Sequence, residues 1–179
     1  MKEKLLLHCC CAPCSSAIIE ELSNYYDITL YFYNPNITDS VEYYSRLDEL
    51  ARFIVDAGYK KEVKLVWEEF DPKPFYNFAK TMKSDHEGCN RCKSCYAHRL
   101  SKTAQYAYEN GFKQFSTTLT ISPYKDSAVI NSIGTSIASS YPSLMYMPFD
   151  FGFLYTRSLD LCKKYDLYQQ VYCGCEYSR

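Results

Sequence analysis

Ten cysteines dominate the chemistry that this 179-residue sequence can perform, and nine of them are clustered. The three groups lie within Cys9–Cys14, Cys89–Cys95 and Cys173–Cys175. Thiolates at such spacing bind iron–sulfur clusters or zinc, and a close pair can also form a redox couple. The tenth cysteine, Cys162, falls in a helical pattern without a cysteine neighbour and is expected in the core. We therefore expect one metal centre built from distant parts of the chain.

The second group reads Cys-x2-Cys-x2-Cys and is similar to the first part of a bacterial ferredoxin signature. Arg99 stands where the fourth ferredoxin cysteine would fall. A metal bound here must therefore take further ligands from elsewhere in the chain. Two-residue spacing also suits a structural zinc site, so the motif alone leaves iron and zinc open.

Composition and charge indicate a globular protein, since 47% of the residues are hydrophobic, 23% are charged and the net charge is −1. We expect a single α/β domain, 1–179, with a cysteine-containing C-terminal tail. The apolar stretch after Lys4 is too short for a signal segment or a membrane span, which favours a cytoplasmic location, reduced thiols and no membrane partner. Residues 80–125 carry eight Lys/Arg against three Asp/Glu, which suits either phosphate binding or a solvated helix face.

Short β-rich runs alternate with segments of helical period, and this alternation predicts parallel βαβ units in a mostly parallel five-stranded sheet. The predicted strands are Leu5–His8, Ile28–Tyr33, Val63–Trp67, Gln114–Thr118 and Leu144–Met147. The predicted helices are Ser15–Asn24, Val41–Ala57, Cys92–Asn110, Ser127–Ser140 and Ser158–Tyr165. Ligands of such sheets bind at the carboxyl ends of the strands, where Cys9–Cys14, Asn34–Asn36 and Thr118–Lys125 are expected.

Five motifs in this order resemble those of the cobalamin-independent epoxyqueuosine reductases, the QueH family. They are His8–Cys14, Tyr33–Ile37, Arg91–Tyr96, Phe115–Lys125 and Tyr172–Cys175. The resemblance implies an α/β/α three-layer fold similar to the PP-loop and nucleotide α-hydrolase group. It also implies a [4Fe–4S] cluster with a neighbouring mononuclear iron, no cobalamin, and reduction of epoxyqueuosine to queuosine in tRNA by an oxidoreductase.

The same resemblance suggests roles for individual residues, with Cys9 and Cys89 outside the family pattern. The expected metal ligands are Cys10, Cys11, Cys92, Cys95, Cys173 and Cys175. The candidate proton donors are Cys14 and Tyr33. The expected contacts to the modified base or the tRNA are Asn34, Asn36, Thr117, Thr118, Ser122, Lys125 and Arg99. Asn34 and Asn36 would equally serve as turn formers around Pro35, and the threonines as a capped strand end.

Two departures from the family pattern remove positive charge, at Gly152–Phe153 and at Gln169, and both bear on RNA contact. An alternative is an ATP-dependent tRNA sulfur-transfer enzyme of the PP-loop type. Such an enzyme needs a glycine-rich phosphate loop after the first strand, and Cys9–Cys14 contains no glycine, so we expect no ATP. A second alternative is a zinc-stabilised RNA-binding module without catalysis. The expected partners are tRNA carrying epoxyqueuosine and a separate electron donor.

Overall fold

The computed structural model describes residues 2–178, and within them a single five-stranded sheet is present. The strands are β1 (Glu3–Cys9), β2 (Tyr26–Phe32), β3 (Val63–Trp67), β4 (Gln114–Thr117) and β5 (Met145–Tyr146). Their order is β3-β2-β1-β4-β5, and every pairing is parallel. All five predicted strands are therefore confirmed, and the sheet that was predicted to be mostly parallel is entirely so.

Helices connect the strands, as the predicted alternation requires. They are α1 (Ala12–Leu22), α2 (Ser40–Asp56), α3 (Lys73–Ala79), α4 (Asn90–Glu109), α5 (Ser127–Ala138) and α6 (Tyr155–Lys164). Five of them match predicted helices, whereas α3 was not predicted. Its segment contains Pro72 and Pro74 and three aromatic residues, which hide the helical period, although proline is well tolerated in the first turn.

The sheet is covered on both faces, and this gives three layers. Leu5 and Leu7 of β1 pack into one hydrophobic cluster with residues of α1, α2 and α6. Leu6 points the other way and packs with residues of α4 and α5. Because successive side chains of a strand alternate in direction, a continuous run of leucines fits a strand that is buried on both faces. The predicted α/β/α fold class is confirmed.

Local signals place the ends of α2 as the sequence predicted. The Asp39 carboxylate accepts hydrogen bonds from the backbone N–H groups of Val41 and Glu42, at 2.9 and 3.2 Å, and so caps the first turn. Gly58 follows the helix with φ +84°, the left-handed conformation that terminates a helix at low cost when the residue is glycine.

The chain direction reverses beside β1, which pairs with β2 on one side and with β4 on the other. In open parallel sheets such a switch point leaves a crevice at the carboxyl ends of the two central strands. The loop after β1 holds the first thiol group, and the segment after β4 contains Thr118–Lys125. Within residues 2–178 no helix is both long and apolar enough to cross a bilayer.

Candidate metal centre

The first thiol group lies in the turn from β1 to α1. Cys11 is the N-cap residue of α1, and its Sγ accepts a hydrogen bond of 3.3 Å from the backbone N–H of Cys14. A helix N-terminus presents unpaired N–H groups and a partial positive charge, both of which stabilise a thiolate. The turn therefore places sulfur where the backbone favours its charged form.

The three sulfurs of this group are close enough to share one metal ion. The Sγ atoms of Cys10 and Cys11 are 3.7 Å apart, and those of Cys10, Cys11 and Cys14 all lie within 4.8 Å of one another. Hydrogen bonds from the Cys11 and Cys14 thiols hold the pKa of Cys10 well below its ordinary value, with Arg99 and Lys125 contributing positive charge. The group could therefore release protons to a metal and bind it.

The second thiol group joins α4 to the C-terminal segment. Cys92 and Cys95 are one turn apart on α4, and they line an enclosed cavity of about 20 Å³ together with Cys173 and Cys175. The Cys175 thiol donates to Cys173, as does the Ser178 hydroxyl 3.0 Å away, and these bonds lower the pKa of Cys173 to about 5. Burial raises the pKa of Cys95 to about 11. Four sulfurs around one cavity are the donor set that a [4Fe–4S] cluster or a structural zinc requires.

Backbone contacts hold the C-terminal segment against the sheet. Arg46 donates from Nη1 to the carbonyl of Cys173 at 3.3 Å and from Nη2 to that of Tyr172 at 3.0 Å. The Asn36 amide donates to the Cys173 carbonyl at 3.1 Å. Gly174 adopts φ +99°, and a Cβ there would lie 2.6 Å from Cγ1 of Ile37. The segment is therefore specified by position and not only by its cysteines.

Arg99 lies between the two thiol groups and is only 3% exposed. Its Nε donates to Nε2 of His8 at 3.2 Å, and its Nη2 donates to Oδ1 of Asn34 at 2.6 Å. Arg99 lines both the enclosed cavity and a larger open pocket. Its charge therefore faces sulfur on both sides, and the expected contact of Arg99 with a tRNA phosphate stays a prediction.

The open pocket measures about 360 Å³ and adjoins both groups. Cys10 and Cys14 line it from the first group and Cys173 from the second, so sulfurs from the beginning and the end of the sequence meet there. Ser122 and Lys125, two of the residues expected to bind substrate, also line it. A pocket of this size suits a small organic group such as a modified base.

The other residues predicted to bind substrate are buried in the framework below the pocket. Asn34 is fully buried and donates to the carbonyl of Cys9 at 3.0 Å while accepting from Arg99. Thr117 Oγ1 accepts from the Leu119 backbone N–H, 3.2 Å away, and contacts Nδ1 of His8. Thr118 Oγ1 is buried without a partner among the described residues. Direct contact of these side chains with substrate stays a prediction.

Asn36 and Tyr33 occupy different surroundings. Asn36 lines the enclosed cavity beside the second thiol group, and its Oδ1 is buried with no partner in the described part of the chain. A buried acceptor of this kind fits a neighbouring cation. The hydroxyl of Tyr33 instead pairs with Nε2 of His98 at 2.8 Å, and burial raises the pKa of Tyr33 to about 12. Among the described residues Tyr33 lines neither the cavity nor the pocket.

Comparison with known proteins decides the family. A sequence profile described as epoxyqueuosine reductase QueH matches residues 5–179. The chain belongs to the QueH family. The resemblance that the motifs predicted is thus confirmed, and the QueH name is that of an oxidoreductase, as expected.

Curated proteins named epoxyqueuosine reductase QueH align with almost all of this chain. The protein of Streptococcus pyogenes serotype M1 is 38% identical over 182 residues, covering 99% of this chain and 71% of the relative. That of Acinetobacter baylyi is 40% identical over 179 residues, covering 98% and 80%. That of Thermotoga maritima is 33% identical over 179 residues, covering 97% and 89%.

In this QueH chain, the cysteines expected outside the ligand set lie apart from the others. Cys9 and Cys162 are buried in the hydrophobic cluster beside α1 and α6. Cys89 is exposed and precedes α4 as its N-cap residue. Two polar residues at the centre were not predicted from the sequence, namely Arg46 and Gln170. Their partners lie more than a hundred residues away, so local patterns carry no signal for either.

Proposed function

We propose that this chain reduces epoxyqueuosine to queuosine in tRNA. The reaction removes the epoxide oxygen, leaves an alkene, consumes two electrons and two protons, and releases water. The observation that carries the proposal is the place of Cys173, which lines both the enclosed cavity of the second thiol group and the open pocket beside the first. An electron source and a substrate pocket that share a wall suit a reductase, and the relatives bear the name of this activity.

Two metal sites are assigned from the donor sets. Cys92, Cys95, Cys173 and Cys175 supply the four thiolates that a [4Fe–4S] cluster needs. Cys10 and Cys11 supply thiolates for a single iron beside the pocket, and a metal with two protein thiolates keeps positions open for water or substrate. Bound there, the cluster and the iron supply electrons and a Lewis acid toward the epoxide oxygen.

The pocket residues bind and orient the modified nucleotide. Lys125 and Ser122 line the pocket and are assigned to a phosphate or ribose group. Leu119 and Ile121 supply an apolar wall on the same segment, which limits the access of water to the reacting carbon. The buried polar residues beneath, Asn34 among them, are assigned to holding the frame on which these side chains stand.

A proton reaches the departing oxygen from Cys14 in this proposal. Hydrogen bonding to Cys10 raises the pKa of Cys14 to about 12, so that its Sγ keeps a proton at neutral pH. Cys14 also lines the pocket, whereas the hydroxyl of Tyr33 is engaged with His98. Geometry therefore favours Cys14 over Tyr33 as the donor.

The proposal implies partners and a compartment. The macromolecular partner is tRNA carrying epoxyqueuosine, and a separate protein or small reductant supplies the electrons. Among the described residues, exposed lysines at positions 80, 83 and 93 lie near the start of α4, close in sequence to Cys92, and suit phosphate contact. Because tRNA is modified where it is used, the enzyme is assigned to the cytoplasm.

The test is anaerobic purification with iron, sulfide and zinc quantified, followed by incubation with epoxyqueuosine-containing tRNA and dithionite. The expected result is a brown protein with more than four iron atoms and four sulfides per chain, and conversion of the nucleoside to queuosine by mass spectrometry. Zinc in place of iron would favour the non-catalytic module, because zinc does no redox chemistry. A requirement for ATP would favour the sulfur-transfer alternative.

A further inference from the structure

Gln170 connects the C-terminal segment to the first thiol group. Its Nε2 lies 2.8 Å from Sγ of Cys11 and 3.9 Å from Sγ of Cys14, partners that are 159 and 156 residues away in sequence. The side chain lines the open pocket and lies three residues before Cys173. One amide thus contacts the sulfurs of one group while its backbone belongs to the segment that carries the other.

The orientation of this amide follows from the chemistry of the sulfur. A metal-bound thiolate has lost its proton and can only accept hydrogen bonds. The amide must therefore present its NH2 end to Cys11 and turn its oxygen away. That oxygen, Oε1, is buried and has no partner among the described residues. A buried unpaired acceptor is destabilising and calls for a compensating role of the group that carries it.

We propose that Gln170 is a positioning residue that sets the electron density on the Cys11 thiolate, and through it the affinity and reduction potential of the iron bound there. The inference rests on the proposed function, since it needs a metal at Cys10 and Cys11. Within the described chain, Cys11 Sγ receives two N–H donors, the Gln170 amide and the backbone of Cys14. The backbone donor belongs to the helix start, which leaves Gln170 as the donor that a side-chain substitution can remove.

The direction of the effect follows from electrostatics. An N–H group that donates to a metal-bound sulfur withdraws charge from it, which stabilises the electron-rich reduced state and raises the reduction potential. Loss of the donor leaves more charge on sulfur, so the potential falls and the thiolate-to-iron absorption moves to lower energy. Loss of a group that orients a ligand also weakens metal binding by about 10- to 100-fold.

The test compares Gln170→Leu and Gln170→Glu with the wild-type chain, each purified and reconstituted anaerobically with iron and sulfide. Both substitutions remove the N–H donor, one with similar volume and no charge, the other with similar shape. Gln169→Leu is the matched control, because Gln169 is the neighbouring residue and lines the same pocket. The measurements are competition for labile iron by ferrozine, the visible spectrum, and potentiometric titration followed by electron paramagnetic resonance.

The expected result is weaker iron retention, by about 10- to 100-fold, and a lower potential in both Gln170 variants, with Gln169→Leu unchanged. Wild-type behaviour in Gln170→Leu, or equal changes in Gln169→Leu, would overturn the inference. None of these measurements contains tRNA, so failure of the inference is distinguishable from failure of the proposed function. A chain that shows the Gln170 effect but does not convert epoxyqueuosine would refute the function alone, and a converting enzyme indifferent to Gln170 would refute the inference alone.

Discussion

The hydrogen bond between Arg99 and His8 fixes the tautomer of the histidine. A guanidinium only donates, so Nε2 of His8, 3.2 Å from Nε of Arg99, must accept. The remaining proton then lies on Nδ1 and is donated to Oγ1 of Thr117 at 2.9 Å. Burial, with Arg99 adding to it, lowers the pKa of His8 to about 3, which keeps the ring neutral. The neutral ring holds the Arg99 charge in place beside the thiols without competing with it. The Tyr33 carbonyl also lies 3.2 Å from Nε2, but the guanidinium always carries its protons and takes that position.

Replacing Arg99 tests this arrangement. Arg99→Lys should lower the free energy of unfolding by about 1–3 kcal/mol, because one ammonium cannot reach both His8 and Asn34 in the geometry of the fork and leaves a buried acceptor unpaired. Urea denaturation of the two proteins under the same metal conditions measures the difference. Lys93→Ala, at an exposed position on the same helix, should stay within about 0.5 kcal/mol of wild type. Equal stability of Arg99→Lys and wild type would contradict the role given to the fork.

Gly174→Ala should displace the C-terminal segment. The residue has φ +99°, and the added Cβ would approach Cγ1 of Ile37 to 2.6 Å. Gly58→Ala is the matched control, since Gly58 has φ +84° with open space around it. The control should lose about 1 kcal/mol for the left-handed conformation and keep its iron. Gly174→Ala should lose more stability and also iron, measured per chain after reconstitution. Full iron content in Gly174→Ala would show that the segment tolerates the shift.

The two neighbouring cysteines at the start of α4 should behave differently. Cys92 lines the enclosed cavity, whereas Cys89 is exposed and does not line it among the described residues. Cys92→Ser should therefore lose most of the sulfide and iron of the cluster, because a hydroxyl is a poor substitute for a soft thiolate. Cys89→Ser should retain both. Iron and sulfide analysis with the visible spectrum checks this, and cluster loss in Cys89→Ser would place that residue among the ligands.

Tyr124 should contribute to tRNA binding. Its side chain is 82% exposed and stands at the rim of the open pocket, one residue before Lys125. An aromatic ring beside a pocket for one base suits stacking with its unpaired neighbour, worth about 1–3 kcal/mol. Tyr124→Ala should therefore raise the Kd for epoxyqueuosine-containing tRNA about tenfold without loss of iron. Tyr25→Ala, which removes a 64% exposed tyrosine at the opposite edge of the sheet, serves as control. An unchanged Kd in Tyr124→Ala would remove stacking from the account.

Acid should loosen the approach of the C-terminal segment to α2. Arg52 donates to the Glu49 carboxylate and holds the pKa of Glu49 below its ordinary value of 4.5, and the Tyr168 backbone N–H donates to the same group at 2.6 Å. A lowered carboxyl pKa adds stability that is complete above about pH 4.5 and is lost as the pH falls through the folded-state pKa.

Glu49→Gln should consequently be less stable than wild type at neutral pH, by about 1 kcal/mol, with the difference vanishing in acid. Urea denaturation between pH 3 and pH 7, under matched metal conditions, measures it. Asp48→Asn, one residue earlier on α2, should not reproduce this pH dependence. A difference that persists at the lowest pH would argue against the ionised carboxylate as its source.

Periodicity and motif spacing were sufficient to predict the sheet and the edge at which the cysteines gather. The leucine run of β1 and the caps of α2 are local signals, and they predicted their elements correctly. The position of Cys9–Cys14 after a central strand then follows from the general behaviour of parallel sheets. Local sequence therefore determines which end of the sheet carries the chemistry.

Contacts between distant segments could not be predicted in this way. Asn34 follows a strand and precedes a proline, which suits a turn or a ligand contact equally well, and only the approach of Arg99 from α4 shows that its amide is fully engaged. Gln170 belongs to a segment without regular structure, so no period gives the direction of its side chain. Arg46 lies among the buried residues of α2, where a charged residue signals an unknown partner but does not identify it.

The four sulfurs of the enclosed cavity come from two segments about eighty residues apart, and this separation has an entropic consequence. A metal that joins them closes a long loop of the denatured chain and so restricts it, which favours the folded form by an amount that grows slowly with loop length. Loading of iron and docking of the last segment are then one thermodynamic event. The protein without metal would hold its final turn only through backbone contacts such as those of Arg46, and a protease that attacks that turn would report how much of the population carries metal.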